Sequence, residues 1–246
     1  MGHPVPDAEY DSVDPGGFWF LITFPEIEFG IRSQYNKLEK SIMECTATDS
    51  YRLAIKKITL DNEVSENINI IIPTKNLLEL VKLMSEDEEA LEMHIFNNKV
   101  IFKFNQITMM TRLISGTYPD TSKLIPEEFN LTMQVKLMDF FSAIDRASLL
   151  TNESDKNTIK LESKGETVII SSNIPEIGNV EEKITVEKNN EEDIKIAFNS
   201  KFMLDSIRVL ESDEIELLFN GEFKPIIIKN PESDDLIQLI LPIRTY

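Results

Sequence analysis

Short runs in which apolar and polar side chains alternate recur along most of this chain, the pattern of half-buried β-strands. Three stretches break the alternation with helical spacing. Early on, Ile31–Tyr35 and Ile42–Thr46 flank the polar stretch NKLEKS and read as a hairpin. Thr48, Asp49 and Ser50 then make a polar turn, since their short side chains can bond nearby backbone, and Arg52–Ile58 leaves it as a strand. Ile68–Ile72 is a β-branched run. Pro73 suits a helix start with Thr74 as its cap, and Leu77, Leu78, Val81 and Met84 fall on one helical face. An acidic loop, SEDEEA, precedes the strands Leu91–Phe96, Val100–Phe104 and Met109–Leu113, with Asn97-Asn98 as a hairpin signal.

The second half repeats this order. Ser115–Pro126 (SGTYPDTSKLIP) is punctuated by Gly and Pro and reads as a connection between domains. Phe129–Val135 is a strand. Lys136–Leu150 is an amphipathic helix with Leu137, Phe140, Phe141, Ile144 and Ala147 on one face. Thr158–Glu162, Val168–Ser172, Val180–Val186 and Ile194–Phe198 are strands. A helix over Ser200–Leu210 and the strands Ile215–Phe219, Pro225–Ile228 and Leu236–Pro242 close the chain. The pattern is α+β. It divides into a flexible tail over residues 1–17, rich in Pro, Gly and acidic residues, a first domain over 18–122 and a second over 123–246. Phe18–Phe29, with the only tryptophan at Trp19, reads as a strand that docks on the first sheet and is ended by Pro25, the alternative being an apolar segment that seeks a partner.

The repeat can be aligned residue by residue. IIPTKNLLELVKLM matches AFNSKFMLDSIRVL, with Pro73 and Asn199 standing 126 positions apart. At the same offset Lys75 matches Lys201, Glu79 matches Asp205, and Lys82 matches Arg208. Each helix thus carries a plus, minus, plus pattern on the side away from its sheet. Charge pairs on a solvated helix would explain it; so would a surface that meets nucleic-acid phosphates, which is sequence-blind and salt-sensitive. The helix over Lys136–Leu150 lacks the pattern and has only Lys136 and Arg146 as basic residues there.

Charge and composition narrow the function. The chain has 246 residues and a formal net charge of −18. Tight static binding to nucleic acid usually shows as a basic domain, although a local basic surface inside an acidic whole would still admit DNA. The apolar run Phe18–Phe24 is far short of the roughly 20 residues that span a membrane, and no signal peptide precedes it, so a cytoplasmic protein without a membrane partner is expected. Cys45 is the only cysteine and reads as a small buried strand residue. His94 lies in a strand pattern. Neither metal-ligand spacing nor a Gly-rich phosphate loop occurs, so no catalytic residue, metal or cofactor is expected. Tyr51, Arg52 and Leu53 set an aromatic ring, a cation and an apolar side chain in a row, which suits docking of a partner better than bond chemistry.

Taken together, TATDSYRLA, IIPTKNLLELVKLM, SGTYPDTSKLIP, the helix ending RASLLTNES, FNSKFMLDSIRVL and LILPIRTY occur in the order of the bacterial DNA polymerase III beta subunit. From about Gly30 to Tyr246 the chain resembles that sliding-clamp family, with no counterpart to the family's first domain or to the start of its second. The resemblance implies a DNA-clamp fold of repeated domains, antiparallel sheets outside and helices on the inner face. It implies a processivity factor of DNA replication, a homo-oligomeric ring that encircles double-stranded DNA without reading sequence. Lys75, Lys82, Arg146, Lys201 and Arg208 would face the DNA, and Leu149 and Leu150 would lie at the subunit interface. The DNA polymerase III catalytic subunit and the clamp loader would dock short linear peptides in a pocket. One wall would use Thr48, Ser50, Tyr51, Arg52 and Leu53, with Pro119, Lys123 and Leu124 from the connection. The other would use Leu239, Ile240, Leu241, Pro242, Ile243, Arg244, Thr245 and Tyr246. Glu28 stands where the family has an aliphatic pocket residue, and Phe18–Phe24 is expected to fill the place of the absent helix.

Overall fold

The computed structural model describes residues 33–84, 91–174 and 177–244, and the backbone of 18–20. Residues 1–17 and 21–32 lie outside the described residues, and so do the expectations for the tail, for Pro25 and for Glu28.

Two units of the same design follow one another. In the first, strands β2 (Ser33–Glu39), β3 (Ile42–Thr48), β4 (Arg52–Thr59) and β5 (Ile68–Pro73) pair in the order β4-β3-β2-β5. A second sheet has the order β1-β6-β7-β8, from Phe18–Phe20, Leu91–Ile95, Lys99–Phe104 and Ile107–Arg112. Helix α1 (Thr74–Leu83) follows β5 directly. In the second unit β9 (Leu131–Lys136) leads into α2 (Leu137–Ser148). Strands β10 (Thr158–Lys164), β11 (Thr167–Ile174), β12 (Gly178–Thr185) and β14 (Lys195–Asn199) form the sheet β12-β11-β10-β14. Helix α3 (Ser200–Arg208) and strands β15 (Glu214–Phe219), β16 (Ile226–Asn230) and β17 (Ser233–Ile240) complete it. The strand orders of the two units correspond, and β1 pairs with β6 as β9 pairs with β15.

The units are joined by a strand pair. β17 runs antiparallel to β4, with Leu239 opposite Leu53 and Ile237 opposite Ile55. A single sheet of nine strands, β13 (Glu187–Lys188)-β9-β15-β16-β17-β4-β3-β2-β5, therefore crosses both units. A small cluster of Leu53, Leu218, Ile227 and Leu239 closes over this seam. Each unit keeps its own core besides: Leu38, Met43, Ile72, Leu80 and Phe102 in the first, and Phe140, Ile144, Phe198, Ile207 and Phe219 in the second.

Several expected boundaries move. The stretch NKLEKS is strand rather than loop: Asn36 and Leu38 are fully buried, and the hairpin turns in the two residues Lys40 and Ser41, with Lys40 in the left-handed region at φ 53. The polar residues deceive because Asn36 is satisfied inside the sheet by the Gln34 side chain, Nε2 to Oδ1 at 2.8 Å. Thr74 is not a cap: Pro73 holds that position and Thr74 is the first helical residue. A short strand β13 (Glu187–Lys188), invisible in the pattern, pairs with β9. Helix α2 stops at Ser148, and Leu149 and Leu150 form the turn after it.

Candidate docking site at the seam

The polar turn before β4 is closed by its own side chains. The Thr48 hydroxyl donates to the Arg52 carbonyl at 2.7 Å. Asp49 accepts from the backbone amides of Tyr51 at 3.0 Å and Arg52 at 3.1 Å. An aspartate that holds the amides two and three residues on leaves the intervening side chains pointing out, and Tyr51 is exposed.

Arg52 carries the turn across the seam. Its Nε bonds Asp49 at 3.0 Å and its Nη1 bonds Asp205 of α3 at 2.7 Å. The guanidinium also lies 4.4 Å from the centre of the Phe202 ring, within reach of a favourable cation–π contact. Phe202 sits in the first turn of α3, where its amide donates to the capping Asn199 side chain. The Tyr51 ring is 6.2 Å from the same phenyl group. Buried Gln238 fixes the helix in turn, donating to the Ser206 carbonyl at 2.7 Å. The C-terminal run is tied at two points, Leu241 N–H to the Tyr51 carbonyl at 2.9 Å and Ile243 N–H to the Ala197 carbonyl at 2.7 Å.

A cavity of about 740 Å³ with mostly apolar walls opens beside this assembly. Thr48, Ser50, Tyr51 and Pro119 line it, as the resemblance implies, together with Ile114, Tyr118 and Phe202. Tyr118 stacks on Tyr35 at 5.1 Å, and burial lifts its phenol above the ordinary value. Other expected wall residues are placed differently. Leu53, Leu239 and Ile240 are buried within the sheet, so they support the site and offer no surface. Lys123 and Leu124 are exposed on the connection but do not line this cavity. Ile243 and Arg244 line a separate, polar concavity of about 820 Å³ with Lys156 and Lys160. Thr245 and Tyr246 lie outside the described residues.

Phe202 and Asp205 are the seam residues that spacing did not reveal. One signal existed for the first: Phe202 has Asn76 as its repeat partner, an aromatic ring where the other unit has an amide. Asp205 shows in the repeat only as a helix-surface charge. Its partner lies 153 residues away.

The helix cations are largely compensated. Lys82 pairs with Glu79 at 3.1 Å, Arg146 with Glu182 at 2.8 Å, Lys201 with Glu153 at 3.4 Å and Arg208 with Asp205 at 3.9 Å. Lys75 makes no ion pair among the described residues. Leu149 is exposed and Leu150 half-buried at the end of α2. Elsewhere, burial pushes the Cys45 thiol up to about 12, so it is a poor nucleophile, and the His94 ring is held 2.7 Å from Glu92. Among the described residues no cluster of His, Cys, Asp or Glu could hold a metal, and no helix is long and apolar enough to cross a membrane.

Two repeated α+β units joined edge to edge, with a cleft at the join, define a clamp fold. The chain belongs to the DNA polymerase III beta subunit family, the sliding clamps: residues 30–120 match the family's central domain and 122–244 its C-terminal domain. It is 46% identical over 202 residues to the beta sliding clamp of Staphylococcus epidermidis, covering 82% of this chain and 53% of that one. Against the Staphylococcus aureus beta sliding clamp it is 44% identical over 209 residues, 85% of this chain and 55% of that one. The crystal structure of the Bacillus subtilis DNA polymerase sliding clamp superposes with a TM-score of 0.84 at 41% identity, covering 87% of this chain and 57% of that one. The chain thus spans about half the length of the curated relatives it matches.

Proposed function

We propose that this protein is a non-catalytic tether of DNA replication, which holds the replicative polymerase and the clamp loader through short peptides seated at the seam between its two units. One observation carries the reading: Arg52 bridges Asp49 and Asp205 while lying on Phe202, so residues from both units build one mostly apolar cleft. Exposed Tyr51 and Pro119 offer apolar contact, and the Thr48 and Ser50 side chains offer orienting polar groups. Titration of a fluorescent peptide bearing a glutamine and hydrophobic residues tests it. Saturable binding, weakened about tenfold or more by Tyr51→Ala or Arg52→Ala, is expected. Binding unaffected by either substitution overturns the assignment.

Contact with duplex DNA belongs to the same reading, through Lys75, Lys82, Arg146, Lys201 and Arg208. The ion pairs on four of these cations and the net charge of −18 favour a second reading, a peptide-binding module that does not encircle DNA. Retention on circular but not linear DNA supports the tether. An absence of any DNA association leaves the module.

A further inference from the structure

The polar concavity of about 820 Å³ lies on the sheet β12-β11-β10-β14, on the face turned away from the core. Strand alternation builds it. Ile159, Leu161, Val168 and Ile170 belong to the core, so Lys160 and Ser171 project from the opposite face. They stand opposite each other across β10 and β11, and Glu181 of β12 flanks Ser171 on its other side. The C-terminal run borders the concavity with Ile243 and Arg244, where the Ile243 amide holds it to the Ala197 carbonyl of β14.

One rim is a strained turn. Lys156 and Asn157 are consecutive residues in the left-handed region, at φ 55 and 50, a conformation that glycine adopts freely and a side chain resists. Bonds from several sides hold it. The Asn157 amide donates to the Asn152 carbonyl at 2.8 Å, the Ser200 amide to the Asn157 carbonyl at 2.9 Å and the Asn199 side chain to the Lys156 carbonyl at 2.6 Å. The turn brings the exposed Lys156 into the lining of the concavity.

The cations here are left unpaired. On the same sheet Lys195 pairs with Glu162 at 3.0 Å and Lys183 with Glu181 at 3.3 Å. Lys156, Lys160 and Arg244 line the concavity and make no ion pair among the described residues. Arg244 approaches the Phe223 ring, at 5.9 Å. Of the lining carboxylates, Glu181 is already paired and Asp155 alone opposes these cations. In a chain of net charge −18 this is a local reversal of sign.

We propose that the concavity binds an acidic segment of a protein partner, at a site separate from the seam cleft. Carboxylates of the segment meet Lys156, Lys160 and Arg244, and the Ser171 hydroxyl and Asn173 amide supply neutral donors beside them. The volume suits several side chains rather than a lone ion. Nucleic acid fits less well. None of the described residues that line the concavity is aromatic, so no base could stack there, and Asp155 and Glu181 would oppose a run of phosphates. The charge pairs are solvent-exposed, so the contact is modest in strength and weakens with salt.

Fluorescence anisotropy of a labelled oligoglutamate peptide titrated with the full chain tests this. Saturable binding is expected, absent for a matched serine peptide and lost in high salt. Lys160→Glu should weaken it about tenfold or more and leave circular dichroism unchanged. Lys156→Gly removes the cation together with the strain, so it should weaken binding about threefold without lowering the denaturant midpoint. A peptide for the seam should not displace the acidic one. The proposal is overturned if binding does not saturate, if neither substitution alters it, or if the seam peptide displaces it. Tighter Lys160-dependent binding of a single-stranded oligonucleotide overturns it as well. Seam-peptide affinity is read on the same variants, so the two conclusions fail independently.

Discussion

Helices α1 and α3 are repeat partners with similar sequences and very different surroundings. Leu204 and Ile207 of α3 are 9% and 0% exposed, because α2 packs beside them. Their partners Leu78 and Val81 on α1 are 37% and 40% exposed. Among the described residues no second helix lies against α1. The same apolar pattern is thus core in one unit and surface in the other. Helical periodicity specifies which face can be buried, and the neighbouring element decides whether it is.

That contrast can be tested by removing side chains from each unit. Phe140→Ala takes from α2 a fully buried ring and should cost about 3–5 kcal/mol in denaturant unfolding. Ile207→Ala on α3 should cost about 2–5 kcal/mol, whereas Val81→Ala on α1 should cost less than about 1 kcal/mol. Equal losses would mean that α1 is covered as α3 is. Arg52→Ala leaves the part-buried carboxylates of Asp49 and Asp205 without their guanidinium and should cost about 1–3 kcal/mol. It acts at the seam, between the units. A smaller contrast separates the loops before β5 and β14. Asp193 bonds Lys188 and the Gly165 amide, and the Lys188 bond holds its carboxyl below the usual range. A lowered folded value stabilises above the unfolded pKa, and the gain is lost as pH falls through the folded one. Asp193→Asn should therefore lower stability slightly at neutral pH and flatten its decline in acid. Asn67 and Asn62 stand at the corresponding positions of the first unit, so Asn67→Asp should bring no matching acid dependence.

Most of the fold was legible because its elements are short and locally coded. The three helices follow from apolar spacing, and the offset of 126 falls on β2, β3, β4, β5 and α1 and their partners. The hairpin of β2 and β3 is legible but its strands run further than the pattern predicts, because Gln34 and Asn36 are buried and satisfy one another, a fact that polarity along a sequence cannot carry. The site was legible in halves. The turn at Thr48–Arg52 announces itself by its residues, and Pro119 by the resemblance. Asp205 does not, because its pairing with Arg52 arises only once β17 meets β4. Burial of Leu53, Leu239 and Ile240 has the same origin: the pairing that builds the site also hides them.

The seam also changes the meaning of the connection over Ser115–Pro126. Five ladder positions of β17 and β4 already hold the halves together, over the apolar cluster of Leu53, Leu218, Ile227 and Leu239. The connecting peptide is therefore not the tie between them. A single cut in it is expected to leave two fragments still bound, and residues 115–119 are released to wall the cavity at the seam.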